Sequence, residues 1–287
     1  MARSAANIHQ DRGAAAREEA QAKAEAAREA GQARGAEARA EGQARAEEAR
    51  DRAEERRHEA RLDDQRELAF RLTGEDDFLA ADSFYFTRFT ALNGSGVQGG
   101  AIVAFDDETD TITVAISARG LEPDQPHVQH IHGFLDGQDA MTPTRALDSD
   151  RDGFIELAEG VPAYGPVLLN LTTVHDNGSG MENGHSHESG LEGFPTAPGG
   201  EIMFVESYQL PRDMLGADPM LALREIVLHG MTVGAGAGAG TPGEVDGTAG
   251  YKLVLPVASG ELTEAGSAHQ LRAFANASGF ESGWALG

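Results

Sequence analysis

The stretch GGAIVAFDDETDTITVAISARGL, residues 99–121, contains two apolar runs separated by the polar sequence DDETD. Both runs are rich in β-branched residues, and each has the length of a strand. The acidic segment between them, residues 106–110, is short enough to be a hairpin connection. The stretch therefore predicts two antiparallel strands joined by a tight turn.

Similar strand-like runs occur on both sides of this hairpin, and glycine-rich or acidic loops separate them. Many short β-branched and aromatic segments divided by turn residues are typical of an all-β sandwich or barrel. The sequence therefore predicts a mainly β fold, an antiparallel β-sandwich over residues 82–262. The further runs are FYFTRFTALNG, PVLLNLTTV, GEIMFVESYQL, EIVLHGMTV and YKLVLPVASG.

The N-terminal part of the chain has a different composition. Residues 14–66 are a low-complexity run of Ala, Glu, Arg and Gln with charge pairs at i, i+4, which favours a helix. Large apolar residues are nearly absent there, so no heptad seam predicts a stable coiled coil. We expect residues 1–81 to form a helical or disordered charged arm, either a solvated spacer or the binding site of a protein partner. Residues 263–287 are expected to form a C-terminal tail.

Charge is unevenly distributed along the chain. Residues 1–66 are nearly neutral, whereas the remainder holds nine basic and 32 acidic residues, a net charge of −23. Such a surface repels phosphates, so we expect no nucleic-acid partner. No stretch approaches the ~18 apolar residues of a membrane span, and the N-terminus lacks the apolar region of a signal peptide. A cytoplasmic location is therefore expected, with export as the alternative.

The chain contains no cysteine, so any metal must be held by His, carboxylate or carbonyl groups. The sequence DSDRDGFIELAE, residues 148–159 and called here the acidic loop, matches the EF-hand pattern, including its glycine at position 6. Like charges this close together repel one another unless a cation lies among them. The predicted calcium ligands are Asp148, Asp150, Asp152, Phe154 through its carbonyl, Glu156 and Glu159.

The surroundings of the acidic loop differ from those of a signalling EF-hand. Pro143 lies in the short segment before it, and Gly160 and Pro162 are expected to end any helix after about one turn. The sequence therefore offers no pair of long helices that calcium binding could open. We expect a structural calcium site; an acidic surface turn that only resembles the motif is the alternative.

The second group of candidate ligands is histidine. In PHVQHIHGF, His130 and His132 are two residues apart, so a strand directs both to one face and His127 elsewhere. His229 ends a second apolar run. Imidazole groups suit copper or zinc, although histidines that only tie strand ends together are the alternative. Further candidates in a polar loop are His175, His185 and His187.

HIHG, followed far downstream by REIVLHG and then by GTAGYKLVLPVASG, resembles the copper/zinc superoxide dismutases. The resemblance implies a Greek-key sandwich and makes His130, His132 and His229 copper ligands. It also implies superoxide dismutation as the activity if the protein is an enzyme. Lys252 stands where that family has an arginine that attracts superoxide.

GLEPDQPHVQHIHG and YGPVLLNLT are also similar to chordin-type domains and to bacterial sandwich proteins that carry HIHG and a calcium-type loop. Three functions follow from these patterns. The first is a calcium-binding sandwich with a second, histidine-based copper or zinc site. The alternatives are a copper-dependent superoxide dismutase and a chordin-like protein-interaction module.

Overall fold

The structure is a computed structural model that describes residues 3–174, 191–210 and 219–280. The chain divides into two compact units, Met1–Glu59 and Ala60–Gly287. In its described part the first unit consists of the N-terminal helix, and the second contains the strands.

The N-terminal helix α1 covers Arg3–Thr73 without interruption. In the first unit its charges pair along the helix surface: Lys23 lies 2.6 Å from Glu19, and Arg45 lies 3.4 Å from Glu41. Such exposed pairs stabilise a helix by only about 0.3 kcal/mol each. Most of the arm expected at residues 1–81 thus lies in helix α1.

The second unit contains two antiparallel five-stranded sheets. Their order is β10-β1-β3-β4-β7 in the first sheet and β2-β9-β8-β5-β6 in the second. The strands are β1 (Ser83–Arg88), β2 (Thr90–Ala91), β3 (Gln98–Asp106), β4 (Thr111–Arg119), β5 (Gln129–His132), β6 (Val167–Asn170), β7 (Glu201–Gln209), β8 (Glu225–Val233), β9 (Gly250–Glu261) and β10 (Thr263–Glu264).

The hairpin predicted from residues 99–121 is formed by β3 and β4, which pair from Gln98 opposite Arg119 to Asp106 opposite Thr111. Asp106 fixes the turn, because its carboxylate accepts hydrogen bonds from the backbone N–H groups of Glu108 and Thr109. This is the local side-chain bonding that makes Asp frequent in turns.

One core cluster contains side chains of both sheets. Val114 and Ile116 come from the first sheet, and Ile226 and Leu228 come from the second; all are buried. Because alternate residues of a strand face opposite ways, the neighbours of Ile226 and Leu228 face away from this core. The second sheet therefore has an outer face, and the candidate histidines lie on it.

The first sheet is covered on its other face as well. A second cluster packs Leu62 and Leu72 of α1 and Leu271 of helix α3 (Ala268–Ser278) against Ile102 of β3. The buried Gln65 side chain also donates to the Ala265 carbonyl at 2.6 Å. Burial on both faces explains why β3 and β4 are almost continuously apolar instead of alternating.

These contacts change the expected organisation. The end of α1, within the predicted arm of residues 1–81, contributes to the core of the second unit. Residues 263–264 and 268–278, placed in a tail by the sequence, form β10 and α3. Because the long helix α1 and two antiparallel sheets occur together among the described residues, the fold is mixed rather than mainly β.

Helix α2, Leu157–Tyr164, corrects another expectation. The sequence predicted one helical turn ended by Gly160 and Pro162, yet the helix continues through both. Pro162 cannot donate to the Ala158 carbonyl as another residue would, and the helix ends two residues later, where the Gly165 N–H donates to the Val161 carbonyl at 2.8 Å. Short 3₁₀ helices cover Asp76–Leu79, Arg145–Leu147, Pro198–Gly200 and Leu221–Leu223.

Within the described residues, no helix combines the length and the apolar character needed to cross a membrane.

Candidate metal centre

His130, His132 and His229 meet on the outer face of the second sheet, and we call them the three-histidine centre. Ile131 faces the core between the sheets, so His130 and His132 on either side of it face outward. His229 comes from the adjacent strand β8, one residue beyond the Gln129–Leu228 pair. One ring nitrogen from each histidine lies within 4.8 Å of the other two.

Two of these rings are oriented by backbone carbonyl groups. His132 Nδ1 lies 2.9 Å from the Gly165 oxygen, and His229 Nδ1 lies 2.7 Å from the Val254 oxygen. A carbonyl oxygen can only accept, so each Nδ1 carries the hydrogen and each Nε2 keeps its lone pair. Metal-bound histidines commonly donate their other ring N–H in this way.

The remaining nitrogens have no protein partner. His132 Nε2, His229 Nε2 and His130 Nδ1 are buried and have no hydrogen-bond partner among the described residues. Unpaired buried polar atoms are costly, and here each of three neighbouring histidines has one. A metal ion bound by the three rings supplies a partner for such nitrogens, and the donor set fits copper or zinc.

Burial also fixes the charge of the centre. It lowers the pKa of His132 to about 3, with a further decrease from His229 and an opposing effect of the bond to Gly165. Burial likewise lowers the pKa of His229 to about 4 and that of His130 well below its ordinary value. All three rings are therefore neutral at pH 7, which is the form that binds metal.

Aromatic side chains border the centre. The Tyr164 ring lies 4.6 Å from the His132 ring, centroid to centroid, and the Phe194 ring lies 5.6 Å from that of His130. Tyr164 is fully buried, and its hydroxyl donates to the Leu157 carbonyl at 3.2 Å. These apolar rings limit the freedom of the imidazoles beside them.

The other histidines take different places. His127 is buried with its Nδ1 2.8 Å from the His229 carbonyl oxygen and its Nε2 3.1 Å from the Glu122 carbonyl oxygen, so it supports the β8 backbone. It lies apart from the three-histidine centre, as its spacing predicted. The further candidates His175, His185 and His187 fall outside the described residues.

The acidic loop folds around its first carboxylate. Asp148 accepts hydrogen bonds from the backbone N–H groups of Asp152 at 3.1 Å and Gly153 at 3.0 Å. Gly153 has a φ of 95°, a conformation that suits glycine at the sharp turn. Carboxylate oxygens of Asp148, Asp150 and Glu159 lie within 4.8 Å of one another, so the loop brings three predicted ligands together.

Two other predicted ligands face the glycine-rich loop, residues 234–247. Glu156 accepts a hydrogen bond from the Val245 N–H at 2.6 Å, which places it outside the group of three carboxylates. Asp152 Oδ2 is buried with no partner among the described residues, and a Cβ on Gly238 would lie 2.8 Å from it. Phe154 packs its ring against the small cluster that contains Val245.

Electrostatics in the acidic loop favour a cation. Burial raises the pKa of Asp152, and the charges of Asp150 and Asp148 raise it further. Burial and the neighbouring carboxylates also raise the pKa of Glu156. For Glu159, burial acts in the same direction, but hydrogen bonds from Ser149 outweigh it and lower the pKa. An all-oxygen donor set with an unpaired buried oxygen fits a hard ion such as calcium.

Asn93 anchors the acidic loop to strand β9, and the sequence reasoning did not identify it. Its side-chain amide accepts from the Ile155 N–H at 2.7 Å and donates to the Ile155 carbonyl at 2.9 Å. The same amide donates to the Pro256 carbonyl of β9 at 2.9 Å. One side chain thus satisfies both backbone groups of Ile155, as a neighbouring strand would.

Two further groups of charges have local roles. Lys252, which the resemblance placed near the metal, donates to Asp246 at 3.2 Å and to the Thr248 hydroxyl at 2.9 Å. Its charge is therefore paired with that of Asp246 in the glycine-rich loop. Asp82, Asp106 and Asp107 also bring carboxylates together, but Asp82 accepts the Asp107 N–H at 3.0 Å and thereby braces the β3–β4 turn.

A scan of the chain against protein-family models gave no match, and a search of curated proteins gave none. The fold and the candidate sites therefore stand on the geometry of the chain's own residues.

Proposed function

We propose that this protein is a metal-binding protein that holds copper or zinc at His130, His132 and His229 and calcium in the acidic loop. One observation carries the first part: His130, His132 and His229 bring one ring nitrogen each within 4.8 Å of the others, and each has a buried ring nitrogen without a hydrogen-bond partner among the described residues. Without an ion this arrangement leaves three buried ring nitrogens without a partner among the described residues. With copper or zinc each lone pair acquires a partner, and the bound ion supplies a Lewis acid or, with copper, a redox centre.

The calcium proposal is supported by the arrangement of the acidic loop. Asp148, Asp150 and Glu159 converge, Gly153 takes the required turn, and Asp152 keeps a buried oxygen unpaired. With no second EF-hand among the described elements, we expect calcium here to order the chain rather than to open a helix pair.

We further propose that the two sheets form a Greek-key β-sandwich. Strand β7 lies beside β4, although β5 and β6 of the other sheet come between them in sequence. A strand that returns by a long connection to pair with an earlier one is the signature of this topology. The core cluster shared by the two sheets supports their face-to-face packing.

Metal titration tests the proposed function. Purified protein freed of metal should bind about one zinc or copper ion at the three-histidine centre, and His132→Ala should abolish that binding. The exposed His269, altered to Ala, is the matched control and should bind as the parent does. If the parent binds neither ion, or if His132→Ala lowers stability with no change in metal content, the histidines only tie strands together, as in an interaction module.

The second candidate function is superoxide dismutation. It is favoured by the neutral three-histidine ligand set, which matches the positions given by the resemblance to copper/zinc superoxide dismutases. The pairing of Lys252 with Asp246 weighs against it, because that lysine is the only residue proposed to attract the anion. Superoxide decay measured on the copper-loaded parent and on copper-treated His132→Ala decides: equal rates exclude this activity.

A further inference from the structure

Helix α2 joins the acidic loop to the three-histidine centre. It begins at Leu157, inside the acidic loop, and ends at Tyr164. The next residue, Gly165, carries the oxygen that orients His132. Eight residues of helix span about 12 Å. The two candidate metal sites are therefore connected by one short, rigid element.

At its first end, α2 is held by a carboxylate of the loop. Glu159 Oε1 accepts from the Ser149 N–H at 2.6 Å and from the Ser149 hydroxyl at 2.7 Å. Glu159 Oε2 accepts from the Glu156 N–H at 3.2 Å, which completes a capping box at the helix start. Glu159 thus belongs both to the group of three carboxylates and to the cap of α2.

At its other end, α2 closely approaches the end of β5. Gly165 has a φ of 82°, and a Cβ at this position would lie 2.5 Å from the Gly133 carbonyl oxygen. Only glycine allows this approach, which brings the Gly165 oxygen within 2.9 Å of His132 Nδ1. The orientation of His132 therefore depends on where α2 ends.

Tyr164 connects the two ends of the helix directly. Its ring folds back over Gly160, where a Cβ would lie 2.4 Å from a ring carbon. Its hydroxyl reaches the carbonyl of Leu157, the first residue of α2, while its ring lies against His132. A shift of the first turn is therefore passed to the imidazole by a hydrogen bond and an aromatic contact.

We propose that calcium in the acidic loop positions His132 through α2, with Tyr164 as the positioning residue, so that calcium tightens the binding of zinc or copper. This inference rests on the proposed function. Calcium on Glu159 fixes the helix cap, and the fixed helix holds Gly165 and Tyr164 where His132 needs them. A pre-oriented ligand loses less freedom when the metal binds. By linkage, the second metal tightens calcium binding by the same factor.

Zinc affinity with and without saturating calcium tests the coupling. Calorimetry on the full chain, cleared of metal on a chelating resin, should give a zinc dissociation constant about 5-fold lower, or more, in calcium. Tyr164→Phe keeps the ring but loses the bond to Leu157. For this variant, the ratio of the zinc dissociation constant without calcium to that with calcium should fall towards one. Tyr208→Phe is the matched control, because it removes a similar hydroxyl-to-carbonyl bond, from Tyr208 of β7 to Thr172, and should keep the parent ratio.

The outcomes separate the coupling from the proposed function. If the parent binds both metals but its zinc affinity is the same in calcium, the coupling is refuted and the metal sites stand. If Tyr164→Phe retains the ratio, Tyr164 is not the positioning residue. A parent that binds neither zinc nor copper, or that binds no calcium, refutes the proposed function itself. Should Tyr164→Phe not fold, hydrogen exchange at residues 129–132 of the zinc-free parent decides: rates that calcium leaves unchanged overturn the proposal.

Discussion

Glu225 of β8 lies directly opposite His132 of β5 in the second sheet, and it is fully buried. One carboxylate oxygen accepts hydrogen bonds from the Thr142 and Ser259 hydroxyls, whereas Oε2 has no partner among the described residues. Burial raises the pKa of Glu225 to about 7, although the two hydroxyls act to lower it. The group therefore changes charge near neutral pH inside the sheet.

The first prediction concerns pH and Glu225. The folded state binds this proton up to about pH 7, whereas an unfolded glutamate releases it near pH 4.5. The protonated group's stabilisation is therefore complete below about pH 4.5 and is lost as pH rises through 7. Glu225→Gln should remove this loss, so its free energy of unfolding relative to that of the parent should grow from pH 5 to about pH 7 and then level off. Urea denaturation across this range measures the difference, and Glu201→Gln, at an exposed position, should show none.

The second prediction concerns Asn93, which has a φ of 55°. Asn93→Gly relieves the left-handed backbone and removes the hydrogen bonds to Ile155 and Pro256. Leaving these groups unpaired should cost about 1–3 kcal/mol and weaken calcium binding, because the acidic loop loses its anchor. Asp124→Gly is the control, since Asp124 has a φ of 59° and lies outside the loop. Equal calcium affinity in the two variants would contradict the anchoring role.

The third prediction concerns the glycine-rich loop. A Cβ on Gly238 would lie 1.8 Å from the Val245 carbonyl oxygen and 2.8 Å from the Asp152 carboxylate, whereas one on Gly236 meets nothing within 4 Å. Both glycines have positive φ, so each substitution to alanine costs about 1 kcal/mol from the backbone. Gly238→Ala should cost a further ~1–3 kcal/mol from the clash. Urea denaturation compares Gly238→Ala with Gly236→Ala. Equal unfolding midpoints would show that the glycine-rich loop does not pack against the acidic loop as described.

The fourth prediction concerns proton release on zinc binding. With the pKa of His132 at about 3 and that of His229 at about 4, both rings are already neutral at pH 5.5. Zinc should therefore bind without displacing protons from them, whereas ordinary histidines with a pKa near 6.5 would each lose most of one proton. Calorimetry at pH 5.5 in buffers of different ionisation enthalpy counts these protons. Release of about two or more protons per zinc ion would show that the histidines are not buried as described.

Side-chain patterns predicted part of the three-histidine centre. The two-residue spacing of His130 and His132 placed them on one face, and the apolar run before His229 placed it on a strand. That this strand pairs with β5 depends on the order of strands in the sheet, which short local patterns do not encode.

The supports of the centre were harder to predict. His132 and His229 are oriented by backbone oxygens of Gly165 and Val254, and every residue type carries such an oxygen. Asn93 had only the ordinary signature of a turn, since Asn-Gly is frequent in loops. The sequence analysis also missed the burial of Leu62 and Leu72, although apolar residues recur at helical spacing where the polar arm ends.

The covering of the first sheet has a consequence during protein synthesis. Leu62 and Leu72 leave the ribosome early, but Leu271 and Phe274, which share their cluster, emerge about 200 residues later. At about 5–20 residues per second, that interval lasts at least about ten seconds. Until then the apolar face of β3 lacks part of its cover, and such a face is prone to associate with other nascent chains or chaperones. Chains stopped before α3 should therefore aggregate even though every strand has already been made.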